Sequence, residues 1–323
     1  MSKALLMQAH QATAAAFVAR PSTRRRRERA QAVGWESGGV DFRPPEIHIS
    51  YDDSAAEELV YKFISDASVV GYDTEWRPVG FGGDGRTALI QLATPTACVL
   101  LPVIHLASHP ASLKRLLSSP ATFLCGVNVA EDVAGSGRAQ QRSGATPVDV
   151  GLAAARAGLL PPSVKGRIGL AALVSLLGGP ALSKKSSVTL SDWSKRELSD
   201  AQRTYAALDA YAGGWCAARV HAAVRSKSRG ALPLPAWLAG EGAAQRADAD
   251  AAAARSAAAC AAVLAAAGAH PKGLTSAKLA RVAAASLGEN ETYVRNRVTK
   301  LLTRGKLAGN GDVLVLAASK AAR

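Results

Sequence analysis

Cysteine is scarce in this 323-residue chain: Cys98, Cys125, Cys216 and Cys260 stand alone, with no CxxC pair. That spacing supplies neither a zinc ligand set nor a disulfide framework, and it points to a reducing compartment. A run of about 18 strongly apolar residues is also missing, so a membrane span is not expected. The nearest stretch, residues 251–267, is mostly alanine, is interrupted by Arg255, and reads as a soluble helix. There is no GxxxxGK[ST] phosphate loop, which excludes a P-loop helicase core. Acids are outnumbered, with 25 Asp and Glu against 39 Lys and Arg, giving a formal charge of +14 and a pI near 10.0. Such an excess suits a polyanionic partner, because each basic side chain placed on a phosphate releases condensed counterions. A compositional bias that enriches Ala, Gly and Arg together would give the same excess without a partner.

What is present is unevenly spread. Up to residue 34 the chain carries Lys3, Arg20, Arg24, Arg25, Arg26, Arg27 and Arg29 against the single acid Glu28. Such a segment has the composition of an organelle transit peptide, of a nuclear localisation signal at residues 24–29, or of a disordered tail that adds nonspecific affinity. The nucleus is the expected location, with a mitochondrion or plastid as the alternative. From Glu46 strand and helix patterns alternate. Ile47, Ile49 and Tyr51 have the period of a strand and residues 55–64 that of a helix. Residues 68–73, 88–92 and 98–101 read as further strands, and residues 151–159, 170–177 and 200–225 as helices. Residues 230–235 contain glycine and proline and mark a boundary.

These breaks divide the chain into a disordered basic arm (1–45), an α/β domain (46–225), a linker with an Ala-rich helix (226–271) and a small C-terminal unit (272–323). In the last, Leu279, Val282 and Leu287 suggest a short helix with Ser276 as its N-cap, and Val294, Val298, Leu301 and Leu302 share one face of a second. Arg297, Lys300 and Arg304 project from another side of that second helix. Gly305, Gly309-Asn310-Gly311 and Val313-Leu314-Val315-Leu316 then read as a turn and hairpin. The unit resembles a winged helix, which would place those three basic residues on nucleic acid. A small helical cap used for packing or protein contacts is the alternative.

Three groups of residues carry chemistry. In Val69-Val70-Gly71-Tyr72-Asp73-Thr74-Glu75-Trp76, an apolar strand ends in two acids two apart, so both carboxylates face one way. In Phe123-Leu124-Cys125-Gly126-Val127-Asn128-Val129-Ala130-Glu131-Asp132, a second strand ends at Gly126, and Asp132 sits about where a helix would begin. Glu131 there reads as an acid near the helix start. Tyr205 and Asp209 are four apart on a long helix and therefore stack on one face. Carboxylates on rigid elements are the ligands that Mg²⁺ or Mn²⁺ prefers. A pair of such ions about 3.5–4 Å apart activates water and absorbs charge when a phosphodiester is cleaved.

In order and spacing, Asp73-Thr74-Glu75-Trp76, Asn128 with Asp132, and Tyr205-Ala-Ala-Leu-Asp209-Ala-Tyr211 resemble the three motifs of the DEDDy 3′→5′ exonucleases. Within that family the chain looks most similar to the Werner-type exonuclease domain, with ribonuclease D as a cousin. Gln91-Leu92, Val148-Asp149-Val150, Gly169-Leu170-Ala171-Ala172-Leu173 and Trp193 with Glu197-Leu198-Ser199 add to the likeness, which covers residues 46–225. The resemblance implies a ribonuclease H-like fold, a mixed central sheet flanked by helices, and two divalent ions, Mg²⁺ or Mn²⁺. It implies that Asp73, Glu75 and Asp209 hold the ion that activates water, that Asp73 also reaches the second ion, and that Asp132 serves that second ion. It gives Tyr205 the task of orienting the water, and it places Trp76 and Asn128 near the nucleic acid. DNA is the expected substrate, a ribonuclease D-like action on RNA the first alternative and a noncatalytic binder the second. The sequence departs from the family after Asp132, where Val133-Ala134-Gly135-Ser136-Gly137-Arg138 holds two glycines. Each costs about 1 kcal/mol in a helix interior, so a frayed helix or loop is expected there.

Overall fold

The computed structural model describes residues 35, 41–77, 84–135, 144–164, 168–183, 185–227, 232–270, 273–304, 306–309 and 314–316. The basic run up to residue 34, and Gly305 and Asn310 to Val313 of the expected turn and hairpin, lie outside them. The chain forms two compact units, residues 1–243 and 244–323. The dividing point falls inside a long helix, in the stretch expected to be a connector.

The first unit is built on a six-stranded sheet. In chain order its elements are β1 (Ile47–Ile49), α1 (Asp53–Phe63), β2 (Val69–Trp76), β3 (Thr87–Ala93), β4 (Cys98–Leu101), α2 (Ala111–Leu117), β5 (Phe123–Gly126), α3 (Val129–Gly135), β6 (Thr146–Asp149), α4 (Val150–Arg156), α5 (Leu170–Leu176), α6 (Ser186–Thr189) and α7 (Asp200–Lys227). Strand order is β1-β4-β3-β2-β5-β6. The β1–β4, β2–β5 and β5–β6 pairs are parallel, and β2–β3 and β3–β4 antiparallel. The sheet is therefore mixed, as expected. Strand β6 and helix α2 have no counterpart in the sequence reading. Thr146-Pro147-Val148-Asp149 is too short and too polar to stand out as a strand, and it is one only because β5 pairs with it.

Side-chain alternation along β2 divides the core into two layers. Val69 joins Leu89, Leu100, Cys125, Leu173, Trp193 and the inner face of α7 on one side of the sheet. Val70 and Tyr72 join Val60, Leu113, Leu124, Val129 and Val133 on the other, against α1, α2 and α3. Helix α1 starts where the Asp52 carboxylate caps the Ala55 N–H at 2.9 Å, and α4 starts where Asp149 caps Leu152 at 2.9 Å.

Helix α7 lies almost flush on the middle of the sheet because glycines face it. A Cβ on Gly71 of β2 would run into the backbone carbonyl of Ala210, and one on Gly213 of α7 into that of Cys125. Neither carbonyl belongs to a side chain that can turn away. Gly71→Ala is therefore expected to lower stability by about 1–3 kcal/mol through overpacking, read as a shift of the denaturant midpoint.

Trp35, inside the stretch read as a disordered basic arm (1–45), is buried. It is 5% exposed and donates from Nε1 to the Val69 carbonyl at 3.0 Å.

Helix α8 (Leu234–Gly268) begins in the first unit, where Leu234 and Leu238 are buried and the His221 ring lies tilted against Trp237 at 5.5 Å. Among the described residues it is the one helix long and apolar enough, by length and composition, to cross a membrane. The sequence reading expected no such segment; α8 qualifies on alanine, and it carries Glu241, Arg246, Asp248, Asp250 and Arg255.

In the second unit Val263, Ala266 and Ala267 of α8 pack with α9 (Ser276–Leu287), α10 (Glu291–Thr303) and the antiparallel pair β7 (Leu307–Gly309) and β8 (Leu314–Leu316). Thr275, not Ser276, is the N-cap of α9; its hydroxyl accepts from the Lys278 N–H at 3.3 Å. Val282 and Leu287, which helped to mark this helix in the sequence, are exposed. The buried face is Leu279, Ala280, Ala283 and Ala284. Alanines let α9 approach closely, and the larger residues are displaced to the rim.

Candidate active site

Period-two alternation carries Asp73 and Glu75 to the face of β2 that meets α7, and Thr74 to the opposite face, toward α3. Four side chains then meet at one end of the sheet from three elements. On α7, Tyr205 and Asp209 are one turn apart, and the Tyr205 hydroxyl donates a hydrogen bond to the Asp209 carboxylate. Asp209 is 8% exposed, an unusual depth for an acid. Asp132 lies in the first turn of α3, and Thr74 Oγ1 donates to its Oδ1 at 2.8 Å. One strand thus addresses both partners: its acids face α7 and its threonine holds Asp132.

A residue absent from the expected site completes the cluster. Gln91 of β3 is paired in register with Asp73 and is wholly buried. With its amide turned to satisfy both ends, Nε2 donates to Asp73 Oδ2 at 3.3 Å and to the Ala206 carbonyl at 2.9 Å. A glutamine inside the apolar run Thr-Ala-Leu-Ile-Gln-Leu-Ala is the signal that marks it. Thr74 gave no such signal, since nothing in the sequence says that β2 must reach α3.

Electrostatics tie the acids to one another. Burial, then Asp209, Asp132 and Glu75, hold the Asp73 carboxyl well above the usual carboxylate range. Burial, then Asp209 and Asp132, push Glu75 up to about 8. Burial pushes Asp132 up to about 6, with the Thr74 hydrogen bond acting the other way. Burial and the same acids raise Tyr205 far beyond the range of a free phenol, so it keeps its proton. The influences on these acids are desolvation, other acids and hydrogen bonds; no Lys or Arg enters them. Such carboxylates, gathered beside the buried Asp209, are a donor set suited to hard divalent cations. As they stand, no group of three or more His, Cys, Asp or Glu side chains among the described residues is arranged to hold a metal ion.

Of the two glycines after Asp132, Gly135 is described. Helix α3 continues to Gly135, where the Trp76 ring lies so close that a Cβ could not be accommodated. Thr87 Oγ1 also donates to the Gly135 carbonyl at 3.0 Å. Gly135 is thus a contact, and Trp76 braces the helix that carries Asp132. Residues 136–138 lie outside the described residues.

Asn128 takes a left-handed backbone (φ 61°), and its N–H donates to Asp149 Oδ2 at 2.8 Å, which shapes the turn from β5 into α3. Glu131 is exposed and Asp149 is occupied with caps, so neither is placed among the clustered acids. In the second unit Arg297 is half-buried, with its guanidinium 4.4 Å from the Tyr293 ring. Lys300 and Arg304 are exposed and make no ion pair among the described residues.

Beside Tyr205 and Asp209 opens a cleft of about 340 Å³, lined also by Leu182, Lys185, Val188 and Leu208.

Comparisons with known proteins point to one family. A 3′-5′ exonuclease family model matches residues 47–214, just over half of the chain. The chain is 32% identical over 181 residues to the bifunctional 3′-5′ exonuclease/ATP-dependent helicase WRN of Mus musculus, covering 53% of this chain and 12% of that protein. It is 30% identical over 151 residues to a 3′-5′ exonuclease of Drosophila yakuba, covering 45% of this chain and 41% of that protein. The matched part is thus a minor share of each relative. The crystal structure of the Aedes aegypti Nibbler EXO domain superposes with a TM-score of 0.51 at 20% identity, covering 62% of this chain and 99% of that domain, a likeness of fold. On the family match and the arrangement of its fold, this chain belongs to the 3′-5′ exonuclease family.

Proposed function

We propose that the chain removes nucleotides from the 3′ end of a nucleic acid by hydrolysing the terminal phosphodiester, using two divalent ions, Mg²⁺ or Mn²⁺. The observation that carries this reading is the gathering of Asp73, Glu75, Asp132 and Asp209 from three elements, with Tyr205 held on Asp209. When bound, the cations would draw a nucleophile from water at neutral pH and absorb charge on the leaving oxygen. Asp73, Glu75 and Asp209 would hold the ion on the water side. Asp132, steadied by Thr74, would serve the leaving side, with Asp73 reaching both. Because Tyr205 keeps its proton, it serves as a hydrogen-bonding group that orients the water for in-line attack and not as the base. The cleft beside Tyr205 and Asp209 would receive the 3′-terminal nucleotide, with Lys185 near its phosphate.

Tyr205→Phe should then reduce kcat by roughly 10- to 100-fold while the Mn²⁺ dependence stays near that of the wild type, measured on a 3′-labelled oligonucleotide. An unchanged kcat removes the tyrosine from the reaction.

DNA is the proposed substrate, following the likeness to the Werner-type domain. Rates on matched DNA and RNA oligonucleotides test it, and a faster RNA rate replaces it with a ribonuclease D-like activity. The second unit, two helices followed by a strand pair, is proposed to be winged-helix-like. Its exposed Lys300 and Arg304 would grip phosphates, while Arg297 braces Tyr293. The nucleus is the proposed location, tested by imaging the tagged full-length protein.

A further inference from the structure

Trp35 precedes the family-matched residues and follows a basic run, yet it touches two catalytic elements at once. Its Nε1 donates to the carbonyl of Val69, the first residue of β2 and four residues before Asp73. Its six-membered ring fills the space over Gly214 of α7, where a Cβ would collide with it. The indole also packs on Tyr211, two residues beyond Asp209, with centroids 5.2 Å apart. Phe42 closes edge-on over Tyr211 at 5.2 Å and over Trp215 at 5.3 Å, and the Arg43 N–H donates to the Tyr211 hydroxyl at 3.4 Å.

The rest of the β2–α7 contact explains why such a brace is needed. At Gly71 and Ala210 the two elements meet backbone to backbone, a flush contact in which no side chain of β2 at that point locks the helix against sliding. An indole buries on the order of 150–250 Å² in one piece, and a misplacement of about 1 Å between reacting groups costs about two orders of magnitude in rate. We infer that Trp35 is a positioning residue: it rivets the strand bearing Asp73 and Glu75 to the helix bearing Tyr205 and Asp209. The working exonuclease unit therefore starts upstream of residue 47, and any cut that removes Trp35 removes the rivet. For its catalytic consequence the inference rests on the proposed use of those four residues.

The test uses the full chain with Trp35→Ala and Trp35→Phe, the latter keeping a ring but no donor to Val69. Amide hydrogen exchange reads the rivet without any substrate. Trp35→Ala should speed exchange about tenfold or more at residues 205–211 and 73–75 and leave α1 at its wild-type rate, with Trp35→Phe in between. Uniform acceleration across the unit, or none, overturns the inference. Steady-state kinetics at 25 °C with Mn²⁺ and a 3′-labelled oligonucleotide should show kcat lowered about tenfold or more with KM within about twofold, and partial recovery in Trp35→Phe. A wild-type kcat in folded Trp35→Ala would reduce Trp35 to a structural part and also overturn it. Should wild type itself degrade neither DNA nor RNA, the proposed function fails, and the exchange result alone decides the rivet.

Discussion

Asp73→Asn should melt higher than the wild type at pH 8 in the absence of divalent metal, and should degrade 3′ ends at least about 10³-fold more slowly in its presence. The two effects have one cause. Asp73 is the acid on which burial and three other carboxylates all act in the same direction, so carrying it into the fold, charged or protonated, costs free energy at neutral pH. Asparagine has nearly the same shape, keeps an oxygen for the Gln91 amide to bond, and carries no charge. Relief of even 1–2 kcal/mol corresponds to a melting rise of roughly 2–8 °C for a unit of this size. The same substitution removes the one carboxylate proposed to touch both ions, and catalysis falls with it. Most substitutions that destroy activity by damaging a fold lower the melting temperature, so the opposite signs separate a ligand from a scaffold residue. Activity within tenfold of wild type would remove Asp73 from the metal site. A lower melting temperature would mean that the acids are not repelling one another.

How much of this was legible in the sequence follows from the reach of each interaction. The acids of β2 and the Tyr205–Asp209 pair are visible because strand and helix periods act over two to four residues, and a period of two or four puts a face on the page. Gln91 was half-visible, as a polar letter in an apolar strand, but its partner lies on the neighbouring strand and could be named only from the register. Thr74 and Asp132 are 58 residues apart, and nothing local announces their bond. Gly135 is a like case: helix propensity penalises glycine, but the ring that packs on it, Trp76, lies 59 positions upstream. In α9 the alanines outrank Val282 and Leu287 because closeness of approach, rather than side-chain size, sets the buried face. Trp35 stands beside a run of arginines whose composition suggested no packing at all. Local patterns thus indicated where the acids lie, whereas the residues that hold them came from long-range packing.

The pH dependence of stability, with and without metal, should show the same cluster from outside. In an unfolded chain Glu75 and Asp132 ionise near pH 4–4.5, whereas in the folded chain they hold their protons until about 8 and about 6. Between those limits the folded state binds more protons than the unfolded one, so metal-free stability should fall as pH rises from about 4.5 to 8 and level off above. His109 works the other way: burial lowers its pKa, so that group favours folding as pH rises. A net fall therefore cannot come from His109. Divalent cations bind the ionised acids and must displace those protons, so Mn²⁺ should stabilise little at pH 5.5 and strongly at pH 8. At a hundred times its dissociation constant the gain is about 2.7 kcal/mol, or roughly 5–10 °C in melting temperature. Asp73→Asn should flatten both the fall and the rescue. If Mn²⁺ raises the melting temperature equally at the two pH values, or not at all, the carboxylates are not its ligands, and the two-ion reading of this site fails with them.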